Sequence, residues 1–482
     1  MTFETFETYA ERLLRSDEVP GAAVAAARSG TVVYARGFGA ADRDAGIPAG
    51  PDTIFGVASV TKSFTAAAVM RLADDGRLSV DDPVVEYLPE FRLPRGDAPA
   101  VRIHHFLTHT PGFPPLPSRW YAFGASARED SDGTPPPVDV GARPPFETPE
   151  DLMSYLANGD WTPLGPPGAC FSYCNEGYAL LDAIVARVSG RPYTRYVAET
   201  ILEPAGLTST AFGPPPPHPP AGAMPMPPGG VTTPYIAKKA NGRRMILPAR
   251  TWWYSEVWHP AGGICSTVTD LARYLELYRT GGMVGGRRVL SERAVAAMTR
   301  PHVRVGPGQG YGYGLSVLPE YRGGVLVGHH GGRRSISAQI AVVPSRGAAV
   351  AVLANLADAP VSAIAYGLVN VLDGADPDVP PIVYPEYACP PERLRVYAGE
   401  YRSAEGTLVR VSADGAMLTI VADDMRLATR PVGPDAFVVR PHGLEQYVHF
   451  LVDGRPGAGA AARAVAYGSR IIARSGPPPH TA

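Results

Sequence analysis

Cysteine is scarce in this chain. Only Cys170, Cys174, Cys265 and Cys389 occur, at spacings that fit neither a disulfide framework nor a zinc site. Free thiols in a reducing compartment are the expectation. An excess of charge of either sign is missing too. Acidic and basic residues interleave to a net charge of −2, which leaves no basic groove for nucleic acid and no polybasic patch for a membrane surface. No apolar run is long enough to span a bilayer. The opening stretch, Met1 to Tyr9, is acidic and polar, without the basic and apolar regions of a secretory signal. These absences predict a cytoplasmic protein whose partner is a small-molecule or peptide substrate, not a nucleic acid and not a membrane. They also disfavour a cell-wall substrate.

Glycine and proline are abundant, at 53 and 52 of 482 residues. They cluster in connections, so long irregular loops on a folded scaffold are expected. Apolar content is ordinary and sufficient for a large core. The length predicts one large domain plus a smaller one.

The chemically most suggestive stretch is Ser59-Val60-Thr61-Lys62, inside Phe55 to Met70. Small and apolar residues follow Lys62 with helical spacing, so the motif opens a helix. A serine and a lysine three apart on a helix share one face. A serine hydroxyl needs a neighbouring base to become a nucleophile, and a lysine can serve if burial and nearby charge lower its pKa. The helix N-terminus suits a developing oxyanion. Alone, the tetrapeptide is a weak signal: S-x-x-K occurs by chance in many chains, and its commoner reading is a helix cap followed by a solvated lysine.

In chain order, residues 3–16 carry Phe3, Phe6, Tyr9, Leu13 and Leu14 near one face of an amphipathic helix. Ala22 to Ala27 and Thr31 to Arg36 read as paired strands around Ser29-Gly30. The Ser59 helix is expected to end near Asp74-Asp75-Gly76, and a short helix to end at Tyr87. His104, His105 and His109 lie close together, but no acid or cysteine completes a ligand set. They are expected to be structural; neither metal nor cofactor is predicted. Residues 113–150, with Trp120, Tyr121 and Phe123, read either as a packed loop near a site or as a loose insertion.

Tyr173 and Asn175 stand two apart on a loop ahead of a helix that stops at Gly190. Such a tyrosine can be a general base or acid, and such an asparagine can orient a substrate amide. The proline-rich stretch 211–234 is a lid wall or a connector. Trp252, Trp253, Tyr254 and Trp258 line a pocket or pack in the core. A helix is expected from Leu271 to Tyr278. Val325 to Gly332 precedes a hairpin of Ile336 to Val343 and Ala348 to Leu353, and reads as a strand beside a cleft. His329 would present its imidazole there, and the Gly332 N–H an oxyanion donor. After a Pro- and Asp-rich link at 373–391, about eight short alternating runs fill Leu394 to Arg474, with turns at Ala413-Asp414-Gly415 and Asp453-Gly454, and predict a small β-barrel. The tail from Ser475 is expected to fray.

Ser59-x-x-Lys62, Tyr173-x-Asn175 and His329-x-Gly331, in this order, resemble the motifs of serine hydrolases related to class C β-lactamases and D-alanyl-D-alanine carboxypeptidases. Ile103 to Gly112, Phe171 to Gly190 and Pro260 to Asp270 are similar to the same family, over roughly residues 10–370. The trailing β region resembles the lipocalin-like domain of D-peptide-specific members and of penicillin-binding-protein-type thioesterases, which cyclise nonribosomal peptides.

The resemblance implies an α/β (α+β) fold: an antiparallel sheet flanked by helices plus an all-α region, and a second, small all-β lipocalin-like barrel. The hydrolase domain would span 1–375, the linker 376–392, the β domain 393–475 and the tail 476–482. Ser59 would be the acylated nucleophile. Lys62 and Tyr173 would share the proton transfers, and Asn175 would hold the substrate amide. His329 stands where many relatives carry a lysine. The backbone N–H groups of Ser59 and Gly332 would form the oxyanion hole. His330 in the variable position leaves open which histidine faces the cleft, and Cys174 replaces a commoner small residue. The implied activity is that of a serine acyl-enzyme hydrolase or acyltransferase acting on intracellular peptides, especially those with D-residues, or on small esters. A thioesterase that macrocyclises a carrier-protein-bound peptidyl thioester is an alternative. A non-catalytic binding protein on the same fold is another.

Overall fold

The computed structural model describes residues 2–123, 139, 144–213, 230–240, 243–249, 252, 255–415, 417–422, 425–452 and 461–476. Most of the proline-rich stretch at 211–234, Trp253 and Tyr254, the turn at Asp453-Gly454 and most of the C-terminal tail lie outside them.

The first helix, Phe3–Ser16, follows its apolar stripe. Thr2 caps it by accepting from the Thr5 N–H, and Phe6, Tyr9, Leu13 and Leu14 are buried. The strands Gly21–Arg28 and Thr31–Asp42 then pair across a tight turn in which Ser29 and Gly30 both take positive φ, 49° and 85°. That turn geometry matches the twist of the flanking strands.

These two strands join a nine-stranded antiparallel sheet. Its order is Val303–Gly306, Gln309–Tyr311, Ser316–Tyr321, Gly324–Arg333, Ile336–Val343, Ala348–Ala354, Gly21–Arg28, Thr31–Asp42 and Ile47–Pro48. Helices cover both faces. Ala23, Ala25 and Ala27 enter the core containing the helix Thr61–Asp74, whereas Ala22, Val24 and Ala26 enter the core under Phe3–Ser16 and Val361–Leu372. Strands covered on both sides need no polar alternation.

The helix Thr61–Asp74 is buried almost all round, from Thr61 through Met70 and at Leu72. Its run Ala66-Ala67-Ala68 lets neighbouring elements approach closely, and it packs on the helix Asn175–Ser189 and the short turn His259–Gly262. Gly190, in the left-handed conformation at φ 72°, ends Asn175–Ser189 as the sequence predicts.

Some expectations change. Asn175 is the first residue of its helix rather than part of the loop before it. The expected helix from Leu271 to Tyr278 is two shorter ones, Val268–Tyr274 and Glu276–Arg279. Ser118–Phe123 forms a short helix within the stretch read as loop, and Trp258 packs in the core.

The C-terminal region forms a nearly closed barrel of nine strands, from Gly399–Arg402 to Arg470–Ser475. Here burial alternates with exposure, as in Leu408–Asp414 and Met417–Ala422, because only the inside is covered. Tyr397 stacks on Phe450 in its core, with centroids 4.7 Å apart. Among the described residues, no helix is long and apolar enough to cross a membrane.

Candidate active site

Phe55–Gly56 pairs with Ile264–Ser266, and the chain then turns sharply into the Lys62 helix. Ala58 makes the turn with φ 44°, a left-handed conformation that costs a non-glycine residue free energy. Ser59 therefore sits in a single helical turn, Ala58–Val60, one step before the helix proper.

Lys62, on the first turn of that helix, is 0% exposed. Its Nζ lies 3.1 Å from Ser59 Oγ, 2.8 Å from Asn175 Oδ1 and 2.7 Å from the Ala261 carbonyl oxygen. Burial pushes its pKa well below the usual lysine range, and the Arg470 cation adds to the fall. A neutral amine has two hydrogens and one lone pair. Asn175 Oδ1 and the Ala261 carbonyl are acceptors, so they take the two hydrogens. The lone pair is left facing the Ser59 hydroxyl, which is the arrangement a general base requires.

The ring of Tyr173 lies beside the Lys62 amine, its centroid 4.9 Å from Nζ. Its hydroxyl is buried and makes no well-formed hydrogen bond. Burial raises its pKa; the Ser59 hydroxyl and the Arg470 cation oppose that rise without reversing it. A phenol in this state holds its proton and has it available to donate.

The strand Gly324–Arg333 settles which histidine faces the site. His329 is buried on the side of Tyr173, whereas His330 points to the opposite face, toward Ser362. Gly331 runs against the loop that carries Ser59. A Cβ there would come 2.2 Å from the Val57 carbonyl and 3.2 Å from the Ser59 nitrogen, so only glycine lets the strand pass this close. Gly332 follows, paired in register with Ser337, which puts its backbone within one residue of that contact.

A relay that sequence reasoning missed joins the tyrosine loop to this strand. The Cys174 N–H donates to His109 Nδ1 at 3.1 Å, so a neutral His109 carries its hydrogen on Nε2. That nitrogen is 3.2 Å from the Tyr311 hydroxyl, which lies 2.9 Å from His329 Nε2. His329 Nδ1 bonds the His330 carbonyl and must donate to it, so its Nε2 accepts. The two backbone anchors leave one consistent assignment: His109 donates to Tyr311, and Tyr311 donates to His329. Both imidazoles are kept neutral. Burial pushes His329 down to about 3 and His109 well below its usual value. The clue was available in Gly310-Tyr311-Gly312, a tyrosine between glycines on a short strand, but only the sheet order brings it to His329.

His104 and His105 are structural. His105 Nδ1 accepts from the Arg102 N–H at the start of its helix, and His104 bonds the Tyr313 hydroxyl, on whose ring His302 stacks. Among the described residues, no group of three or more candidate ligands could hold a metal ion. All four cysteines are free thiols.

The chain is similar to known proteins in sequence and fold. Esterase EstB of Burkholderia gladioli is 33% identical over 331 residues, 64% of this chain and 78% of the esterase. The octameric penicillin-binding protein homologue from Pyrococcus abyssi superposes with a TM-score of 0.67 at 28% identity, over 98% of this chain and 100% of that one. A D-stereospecific amidohydrolase from Streptomyces sp. superposes with a TM-score of 0.58 at 25% identity, over 74% of this chain and 95% of its own. The model of the Beta-lactamase family matches residues 6–371. With that match spanning most of its length, the chain belongs to the beta-lactamase family and is a serine hydrolase.

Proposed function

We propose that Ser59 is the acylated nucleophile, neutral Lys62 its general base and the Tyr173 phenol the proton donor to the leaving group. The observation that carries this reading is the threefold contact of the fully buried Lys62 Nζ with Ser59 Oγ, Asn175 Oδ1 and the Ala261 carbonyl. Ser59 Oγ attacks the acyl carbon and its proton passes to Lys62 Nζ. The carbonyl oxygen gathers negative charge beside the Ser59 and Gly332 amides. Collapse expels the alcohol or amine, which takes a proton from Tyr173, and the Lys62 proton then restores the phenol. Water repeats the sequence on the acyl-enzyme and releases the acid. Asn175 holds Lys62 in place and is within reach of a substrate amide.

Small carboxylic esters are the substrate class this reading favours, supported by the esterase relative. Amides and peptides of D-residues are the second class, supported by the likeness to the D-stereospecific amidohydrolase. The test is intact-protein mass spectrometry with p-nitrophenyl butyrate, D-phenylalanine amide and L-phenylalanine amide, with products weighed as well. An acyl adduct on Ser59 that is absent in Ser59→Ala is the expected result. Turnover that survives Ser59→Ala would overturn the mechanism. A peptidyl thioester ending in a D-residue is run beside them. A product one water lighter than its free acid would move the assignment to macrocyclising thioesterase. Tight binding without any adduct would move it to a binding protein.

A further inference from the structure

The barrel meets the catalytic region at the loop that carries Tyr173. The strands Ala462–Tyr467 and Arg470–Ser475 are joined by Gly468 and Ser469, both with positive φ, at 54° and 67°. This tight turn projects Ser469 and Arg470 at the tyrosine. The Ser469 carbonyl accepts from the Tyr173 N–H at 2.9 Å, and Arg470 Nη1 donates to the Tyr173 carbonyl at 2.9 Å. The guanidinium carbon lies 5.5 Å from the centroid of the Tyr173 ring. One hairpin turn thus holds both backbone groups of the tyrosine and lies against its ring.

Arg470 is itself anchored. Its Nε pairs with Glu405 Oε1 at 2.7 Å, where the two side chains are 17% and 5% exposed. The Glu405 carbonyl accepts from Trp120 Nε1 at 3.0 Å, which ties the barrel to the short helix Ser118–Phe123. The neighbouring Ser118 hydroxyl donates to buried Glu176, the residue after Asn175. A planar guanidinium suits this position, because separate edges of its fork serve a carboxylate and a carbonyl together.

We infer that Arg470 is a positioning residue for Tyr173, supplied by the C-terminal barrel, and that the barrel thereby completes the active site. The inference rests on the role proposed for Tyr173. It makes barrel docking a condition for catalysis: the hairpin sets where the phenol stands relative to Ser59 and Lys62. The Arg470 charge also reaches the base. The titratable groups facing Lys62 are Tyr173, Cys174, Glu176 and Tyr178 on the tyrosine loop and the helix Asn175–Ser189, neutral His109 and His329, and Arg470 from the barrel. Arg470 is the cation of this set, so its removal favours the protonated amine.

The test compares Arg470→Met, Arg470→Lys and Glu405→Gln in the full chain, using p-nitrophenyl butyrate turnover and Ser59 labelling by a fluorophosphonate probe. Arg470→Met should lose about 10–100-fold in kcat with KM little changed, since a misplaced catalytic group costs rate rather than binding. The acid limb of kcat/KM should move to higher pH. Arg470→Lys should restore the limb but only part of kcat, because it keeps the charge and loses the fork. Glu405→Gln should lower kcat and leave the limb in place. Unchanged kcat and limb in Arg470→Met, with a lowered melting temperature, would make Arg470 simple glue between regions and overturn the inference. If Arg470→Met does not fold, unchanged kcat in Arg470→Lys and Glu405→Gln does the same. Failure of the underlying reading looks different: the wild-type chain would then not label at Ser59 at all.

Discussion

Two nine-stranded antiparallel sheets occupy this chain, and they bury themselves in opposite ways. In the central sheet, Ile336–Val343 and Ala348–Ala354 are buried at every position, because helices lie on both faces. In barrel strands such as Leu408–Asp414 and Met417–Ala422, burial alternates instead, because one face meets solvent. The consequence is where polar chemistry can be placed. The barrel contributes to the candidate site through a turn, backed by the buried Glu405. The middle strands of the central sheet have no wet face, and around them Lys62, His109 and His329 are buried polar groups, each satisfied by a named partner and each driven toward neutrality. Burying such groups unpaired would cost several kcal/mol apiece, on the order of a third or more of a domain's net stability. The relay of backbone anchors is what makes them tolerable.

That contrast can be broken or sharpened by substitution. The largest effect is expected from Ser59→Ala, which should remove about three orders of magnitude or more of turnover while leaving both cores intact. A melting temperature that fell with the activity would show instead that Ser59 is structural. Tyr173→Phe removes only the buried hydroxyl and should lower kcat by about two to four orders of magnitude. An unchanged rate would assign the leaving-group proton to Lys62 alone. In the barrel, Phe450→Ala should cost about 3–5 kcal/mol, seen as a lowered unfolding midpoint, because it empties the stack on Tyr397. If the barrel completes the site, activity should be lost at that midpoint and not at that of the central sheet.

Two smaller effects sharpen the electrostatic side. The acid limb of kcat/KM should report Lys62. Its pKa is lowered by burial, and in the proposed mechanism the neutral amine is the active form, so activity rises as pH climbs through the lowered pKa. The midpoint should fall below the ordinary lysine value of about 10.4. A limb at that ordinary value would mean that another group titrates. Tyr311→Phe should cost about tenfold in rate, since it leaves His329 Nε2 without its donor. Nitrogen NMR of the imidazoles should show His329 losing its single tautomer; an unchanged spectrum would remove Tyr311 from the relay.

Much of this was legible in local pattern. Serine and lysine three apart on a helical stretch share a face whatever surrounds them. Strand alternation separates His329 from His330, a turn of Ser29-Gly30 closes a hairpin, and Gly190 stops a helix. Each of these is a short-range consequence of backbone geometry, and the order of the three motifs is enough to indicate the family. What local pattern could not carry is everything set by contacts far apart in the chain. Asn175 lies 113 residues from the lysine it holds, and Arg470 lies 297 from the tyrosine carbonyl it binds. Which histidine turns inward depends on which face of the sheet Tyr311 and Tyr173 occupy. The neutrality of Lys62 depends on a desolvation that the sequence does not display, because burial is a property of the packed molecule. Residue order determined the groups available for acyl transfer; tertiary packing decided their protonation, their tautomers and the barrel turn that holds one of them.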